Sequence, residues 1–200
     1  MLYNKYRPQI LQELQGQPIV TKILESTIQQ KRFHHSYLFS GPKGIGKTTS
    51  ARLLAKAANC SALNPPCRNC ESCQLIEKGE HNDIIEIDAA SHRGVENIEK
   101  VISDAKFLPV FGKKKIYILD EAHQLSSTAF NALLKILEEP PKHIMFILCT
   151  TVPEKIPETV TSRCLHITFK RPNIMEICQY LEDICTRENI KFEKRALEVL

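Results

Sequence analysis

Short, largely apolar runs of strand length alternate along this chain with segments whose apolar residues recur every three or four positions. The runs are Tyr37-Leu38-Phe39-Ser40, Asp83 to Ile87, Ile116-Tyr117-Ile118-Leu119 and Ile144 to Cys149, with Leu165 to Phe169 as a fifth. A strand reads this way when neither of its faces meets water, which is the situation inside a parallel sheet. Between the runs, helices are predicted from about Lys47 to Asn59 and from Val95 to Ala105. Ser126 is placed to cap a further helix, on which Phe130, Leu133, Leu134 and Leu137 share one face until Pro140-Pro141 ends it. Another helix is expected from about Asn173 toward Arg187, and a last one begins near Glu193. No internal repeat or low-complexity tract interrupts the pattern. Alternating strands and helices predict an α/β fold, a five-stranded parallel sheet flanked by helices.

Composition narrows this only a little. Two hundred residues suit one full domain and the beginning of a second. A net charge of +4 permits nucleic acid as a partner without arguing for it. The tight basic run Lys113-Lys114-Lys115 is expected to be a solvated turn. The N-terminus has no apolar signal core and no apolar run has bilayer length, so a cytoplasmic location and no membrane partner are expected. In that compartment the eight cysteines should be thiols rather than disulfides. Cys149, Cys164, Cys178 and Cys185 read as buried small hydrophobes. Leu200 is followed by no helix stop, which suggests a piece of a longer protein.

The chemistry concentrates in three places. Gly41-Pro42-Lys43-Gly44-Ile45-Gly46-Lys47-Thr48 fits G-x-x-x-x-G-K-[ST], between a predicted strand and a predicted helix as the motif requires. Glycines let backbone N–H groups turn inward around phosphate oxygens, and the helix N-terminus adds positive potential. Lys47 would reach the β- and γ-phosphates of ATP and Thr48 would ligate Mg²⁺. Asp120-Glu121-Ala122-His123 ends the third strand, where a parallel sheet opens onto its ligand crevice. Asp120 suits Mg²⁺ and Glu121 suits polarising an attacking water. The same letters also suit a DEAH-type helicase, although such an enzyme needs two motor domains.

Cys60, Cys67, Cys70 and Cys73 form the third place. Four thiolates suit a structural Zn²⁺ in tetrahedral geometry. An iron–sulfur cluster and four free thiols are the alternatives.

These motifs, in order and spacing, resemble the AAA+ clamp-loader ATPases of bacterial DNA polymerase III, the gamma/tau family, over essentially the whole chain. Further marks are Lys5-Tyr6-Arg7-Pro8, His34 to Gly41, Glu86-Ile87-Asp88-Ala89-Ala90-Ser91, Asn131 to Lys135, Glu138-Glu139-Pro140-Pro141 and Ser162-Arg163-Cys164. The resemblance implies an AAA+ core at 1–170 with a zinc-knuckle insertion at about 60–73, and the beginning of a small helical lid at 171–200. It implies that Tyr6, Arg7 and Pro8 lie beside the adenine and that Thr49 continues the phosphate-binding set. Thr151, with Thr150 as neighbouring candidate, would sense the γ-phosphate. Arg163 would be an arginine finger acting on the next subunit's ATP. Implied partners are the delta and delta-prime subunits, the sliding clamp, primed-template DNA and the polymerase III core, in a hetero-oligomer. The ATPase would thus serve a DNA-directed DNA polymerase holoenzyme, a nucleotidyltransferase. The six residues between Cys60 and Cys67 make a shorter gap than is usual there. A second sensor arginine is expected after residue 200, so weak turnover is expected of this stretch alone.

Overall fold

All five apolar runs become strands of one parallel sheet. The structure, a computed structural model, describes residues 2–91 and 94–193. The strands are β1 (Ser36–Ser40), β2 (Ile84–Asp88), β3 (Lys115–Asp120), β4 (Ile144–Thr150) and β5 (Leu165–Thr168). Their spatial order is β2-β3-β4-β1-β5, every neighbouring pair parallel. The helices are α1 (Leu2–Lys5), α2 (Pro18–Gln29), α3 (Lys47–Asn59), α4 (Glu71–Lys78), α5 (Val95–Asp104), α6 (Ser127–Glu138), α7 (Glu158–Thr161) and α8 (Ile174–Arg187).

Alternate residues of the central strands feed two cores, one on each face. Tyr37, Phe39, Ile116, Ile118 and Ile147 pack with Val20, Leu24 and Ile28 of α2 and Leu54 of α3. Leu38, Tyr117, Leu119, Phe146 and Leu148 pack with Ile98 of α5 and with Phe130, Leu133 and Leu137 of α6. β3 and β4 are covered on both faces, which is why their sequences are continuous apolar runs. The edge strands β2 and β5 are only partly covered. Ser126 caps α6, its Oγ accepting the Ala129 N–H at 3.2 Å. Asn173 caps α8 in a box with Glu176, each side chain accepting the other's backbone N–H at 2.8 Å.

Two sequence expectations change. The basic run is only partly a solvated turn: Lys113 is exposed, but Lys115 is the buried first residue of β3, and each amino group is tied to a backbone carbonyl. Lys113 Nζ donates to Cys60 O at 2.6 Å and Lys114 Nζ to Lys142 O at 2.8 Å. Lys115, only 6% exposed, donates to Asp104 O and pairs with the Asp104 carboxylate at 2.8 Å. Within the cysteine segment, Cys70 is the N-cap residue of α4 and Cys73 lies in its first turn. Of the four scattered cysteines only Cys149 is fully buried; Cys164, Cys178 and Cys185 are half-buried. The helix expected near Glu193 falls on 194–200, outside the described residues. No described helix is long and apolar enough to cross a membrane.

Candidate active site and cysteine cluster

β1 delivers the chain into the loop that joins it to α3. Gly41 adopts φ 144°, and a Cβ there would meet the Phe169 carbonyl oxygen at 2.5 Å. Gly46, in the left-handed region at φ 96°, turns the chain into α3. Lys47, the first helical residue, is 6% exposed. Its ammonium folds back inside the loop and donates to Gly41 O at 2.8 Å and Pro42 O at 2.7 Å. Burial draws its pKa below the ordinary lysine value, opposed by the carboxylates of Glu121 and Asp120. An arriving phosphate would supply the missing counter-charge.

The acidic pair meets this loop because β4 lies between β3 and β1, so the three strands end at one edge. Thr48 Oγ1 donates to Asp120 Oδ2 at 2.9 Å, and Asp120 Oδ1 accepts the Glu121 N–H at 3.0 Å. A hydroxyl and a carboxylate side by side are hard oxygen donors of the kind Mg²⁺ takes. Glu121 stands in the left-handed region at φ 48°, a conformation that costs a non-glycine residue about 1–2 kcal/mol. Its carboxylate is held there by neighbours: Oε2 accepts from Thr151 Oγ1 at 3.0 Å and lies 3.4 Å from His123 Nδ1. Thr150 is fully buried and turned inward, its Oγ1 accepting the Val152 N–H and lying 3.1 Å from His123 Nδ1. Thr151 instead faces an open cavity of about 540 Å³ lined also by Gly41, Lys43, Glu121 and Arg171.

The N-terminal segment bridges α8 and α3. Tyr6 Oη donates to Glu188 Oε1 at 2.5 Å, and Tyr180 Oη donates to Tyr6 O at 3.2 Å. Arg7 Nε reaches Thr49 Oγ1 at 3.4 Å, and Pro8 is half-buried. Burial lowers the Arg7 pKa, as does nearby Arg52, while Glu86 and Asp120 raise it.

Arg163 is not brought to the phosphate loop of its own chain. Its carbonyl accepts from Ser36 Oγ at 2.5 Å, at the start of β1, whereas the loop follows the end of that strand. Five extended residues separate the two levels by about 16 Å. The guanidinium donates to Thr159 O at 2.5 Å and pairs with Glu138 at 2.7 Å. It lines a separate cleft with His34, His35 and Cys164.

The four sulfurs of Cys60, Cys67, Cys70 and Cys73 lie within 4.8 Å of one another, and Cys60 and Cys70 are 3.9 Å apart. Tetrahedral zinc with bonds of about 2.3 Å puts its sulfurs about 3.8 Å apart, so the cluster fits that ion. Burial opposes ionisation of Cys70, but the backbone N–H groups of Ser61 and Cys73 outweigh it and draw the thiol down to about 6. Cys67 is also lowered, by the N–H groups of Cys70 and Asn69. Burial pushes Cys73 up to about 12.

The cluster stands at the far end of the thirteen-residue α3, about 20 Å from Lys47. It is stapled to the loop that enters β3. Asn59 donates to Lys114 O at 2.9 Å and accepts the Lys114 N–H at 2.8 Å. Ser72, beside Cys73, lies 3.0 Å from His81 Nε2, and the His81 ring meets Phe111 edge-on at 5.5 Å. The buried Asp83 carboxylate accepts the N–H groups of Val110, Phe111 and Gly112 at 2.6–2.7 Å. Burial alone would raise its pKa; those three donors hold it below the usual value.

Sequence reasoning assigned nothing to Arg171, and gave His123 no role beyond its letter in the motif. Arg171 lies past β5 at the loop's edge of the sheet, which only strand order discloses. His123 could have been found from its position two residues after Glu121.

Known proteins show the family and the fold. Residues 16–173 match the family model described as DNA polymerase III, delta subunit. The chain is 46% identical to DNA polymerase III subunit tau of Bacillus subtilis, 45% to subunit tau of Escherichia coli and 44% to subunit gamma of a Buchnera aphidicola, covering all of this chain in each case. It spans 36%, 31% and 55% of the length of those proteins. Among solved structures, the RuvB Holliday junction branch migration motor of Thermotoga maritima superposes with a TM-score of 0.68 at 19% identity, over 96% of this chain and 58% of that one. A DNA polymerase III gamma-subunit-related protein of Thermotoga maritima superposes with a TM-score of 0.59 at 20% identity, over 90% and 57%. These two likenesses establish the fold. With the matched model, and 44–46% identity over the whole chain to named tau and gamma subunits, the chain belongs to the DNA polymerase III gamma/tau family and carries its AAA+ P-loop fold.

Proposed function

We propose that this chain is the ATP-binding and ATP-hydrolysing part of a replicative clamp-loader subunit, which opens a sliding clamp and places it on primed DNA. The observation that carries the reading is the 2.9 Å bond between Thr48 and Asp120, with Lys47 folded inside the loop beside them. Two motifs 72 residues apart converge on one oxygen site, as phosphoryl transfer needs. Mg²⁺, when bound, would neutralise charge on the β- and γ-phosphates. Thr48 and Asp120 would hold it, and Lys47 would leave its two carbonyls for phosphate oxygens. Glu121 would orient the attacking water, and Thr151, already bonded to Glu121, would register the γ-phosphate. Tyr6, Arg7, Pro8 and Thr49 would enclose the rest of the nucleotide.

Arg163, remote from its own loop, would serve the ATP of a neighbouring subunit. The delta and delta-prime subunits, the clamp, primed DNA and the polymerase III core are the proposed partners, in the cytoplasm. Nucleotidyl transfer would remain the polymerase's reaction. The names of the full-chain relatives favour this over a DEAH-type helicase. The test is ATP turnover by the full-length protein with its partner subunits, where clamp and primed DNA together are expected to stimulate it.

The cysteine cluster would bind one Zn²⁺, with a structural role. Thiolates must be deprotonated to bind, and binding organises the chain around them. Because Asn59, Lys113 and the Ser72–His81 pair tie the cluster to the loop entering β3, removing the metal should loosen that loop. Chelation is expected to release one zinc, not iron, per chain and to speed amide exchange at 110–112 by about tenfold or more. Unchanged exchange on metal loss would contradict the structural coupling.

A further inference from the structure

Arg171 stands where β5 gives way to α8. β1 and β5 are parallel, with Ser40 opposite Thr168, so Arg171 comes out at the same edge as the phosphate loop. Its backbone is fixed on both sides. The buried Gln17 amide grips Lys170 twice, Nε2 donating to Lys170 O at 2.6 Å and Oε1 accepting the Lys170 N–H at 3.2 Å. Pro172 sits so close to Gly16 that a Cβ on that glycine would be 2.7 Å from the proline ring. Between these anchors the Arg171 backbone cannot swing away.

The Arg171 side chain lines the cavity shared by Gly41, Lys43, Glu121 and Thr151. Among the described residues it makes no hydrogen bond and no ion pair. The other arginines near the site are occupied: Arg52 grips Glu86 with two bonds at 2.6 and 2.7 Å, and Arg7 bonds Thr49. A guanidinium fork matches phosphate oxygens in shape and charge. One held beside a phosphate loop, with two lysines nearby and no carboxylate of its own, is provided with its counter-charge only when the ligand arrives.

We propose that Arg171 is a specificity-determining residue that contacts the terminal phosphate of ATP bound to its own chain, and so separates tri- from diphosphate. The inference rests on the ATP reading above. The cavity it lines is the one bordered by Glu121 and Thr151, the groups placed around the third phosphate. ADP ends before that point. Because Pro172 and the Asn173 cap follow directly, the contact also ties the nucleotide's state to the start of α8.

The experiment is calorimetric titration of the full-length protein with a non-hydrolysable ATP analogue and with ADP, for wild type, Arg171→Gln and Arg171→Lys. Arg171→Gln is expected to weaken the triphosphate about tenfold, the size of one charge-assisted hydrogen bond, and to leave ADP within about twofold. Arg171→Lys, which keeps the charge but not the fork, should fall between. Equal weakening of both nucleotides, or of neither, overturns the proposal while leaving the ATP reading intact. Failure of wild type to bind either nucleotide removes the ATP reading, and this inference with it. Arg171 is exposed, so the substitutions leave the cores untouched.

Discussion

Glu121→Gln is expected to bind ATP as wild type does and to turn it over about 10²–10⁴-fold more slowly, the usual worth of a positioned general base. The two side chains have the same size, and Gln can still accept the Thr151 hydroxyl through its carbonyl oxygen. The neutral amide cannot draw a proton from water. The left-handed backbone at 121 is unchanged, so the strain that aims the side chain persists. Binding and chemistry therefore separate at this position. Thr48 and Asp120 act earlier, on Mg²⁺, and their loss should impair nucleotide binding as well. Single-turnover hydrolysis beside a binding titration decides the matter: a large fall in rate at unchanged affinity is expected. An unchanged rate would mean that another group activates the water.

Arg163→Ala should be as damaging, but only between subunits. An arginine finger supplies on the order of 10³-fold or more in related NTPases by meeting charge that builds up in the transition state. In this chain the guanidinium lies at the opposite end of β1 from the phosphate loop, where it is held by Glu138 and the Thr159 carbonyl. It cannot assist its own ATP. The variant should therefore keep nucleotide affinity and lose stimulated turnover in the assembly. Mixing Arg163→Ala chains with Glu121→Gln chains is the sharper form of the test. Each inactive chain carries what the other lacks, so partial activity should return in assemblies containing both. No recovery, with assembly intact, would place the arginine outside catalysis.

Much of this was legible in the sequence because strand burial and loop chemistry are local. β3 and β4 are covered on both faces, and continuous apolar runs announce that. The phosphate loop needs glycines with positive φ at fixed positions, so its spacing survives as a motif. α2 is less legible, because its buried face is only Val20, Leu24 and Ile28, at helical spacing behind Pro18. α4 was hidden because its buried positions are Ser72, Cys73 and Ile76, and cysteine reads as a ligand before it reads as a helix face. The lysine run is only partly a solvated turn for a different reason. Its partners, Cys60, Asp104 and Lys142, are brought to it only by tertiary folding. Arg171 belongs to the same class, since its place beside the loop depends on β5 lying next to β1. The meeting of Thr48 with Asp120 was implied by motif order but needed β4 between the two strands to become a distance.

The measurement that bears most directly on the central claim is steady-state ATP turnover by the full-length protein assembled with its partner subunits, with and without clamp and primed DNA. The account predicts low turnover alone and a marked rise when clamp and primed DNA are both present, abolished by Glu121→Gln. Turnover that is the same with and without clamp and DNA would contradict the clamp-loading reading, and would leave a P-loop ATPase whose work lies elsewhere.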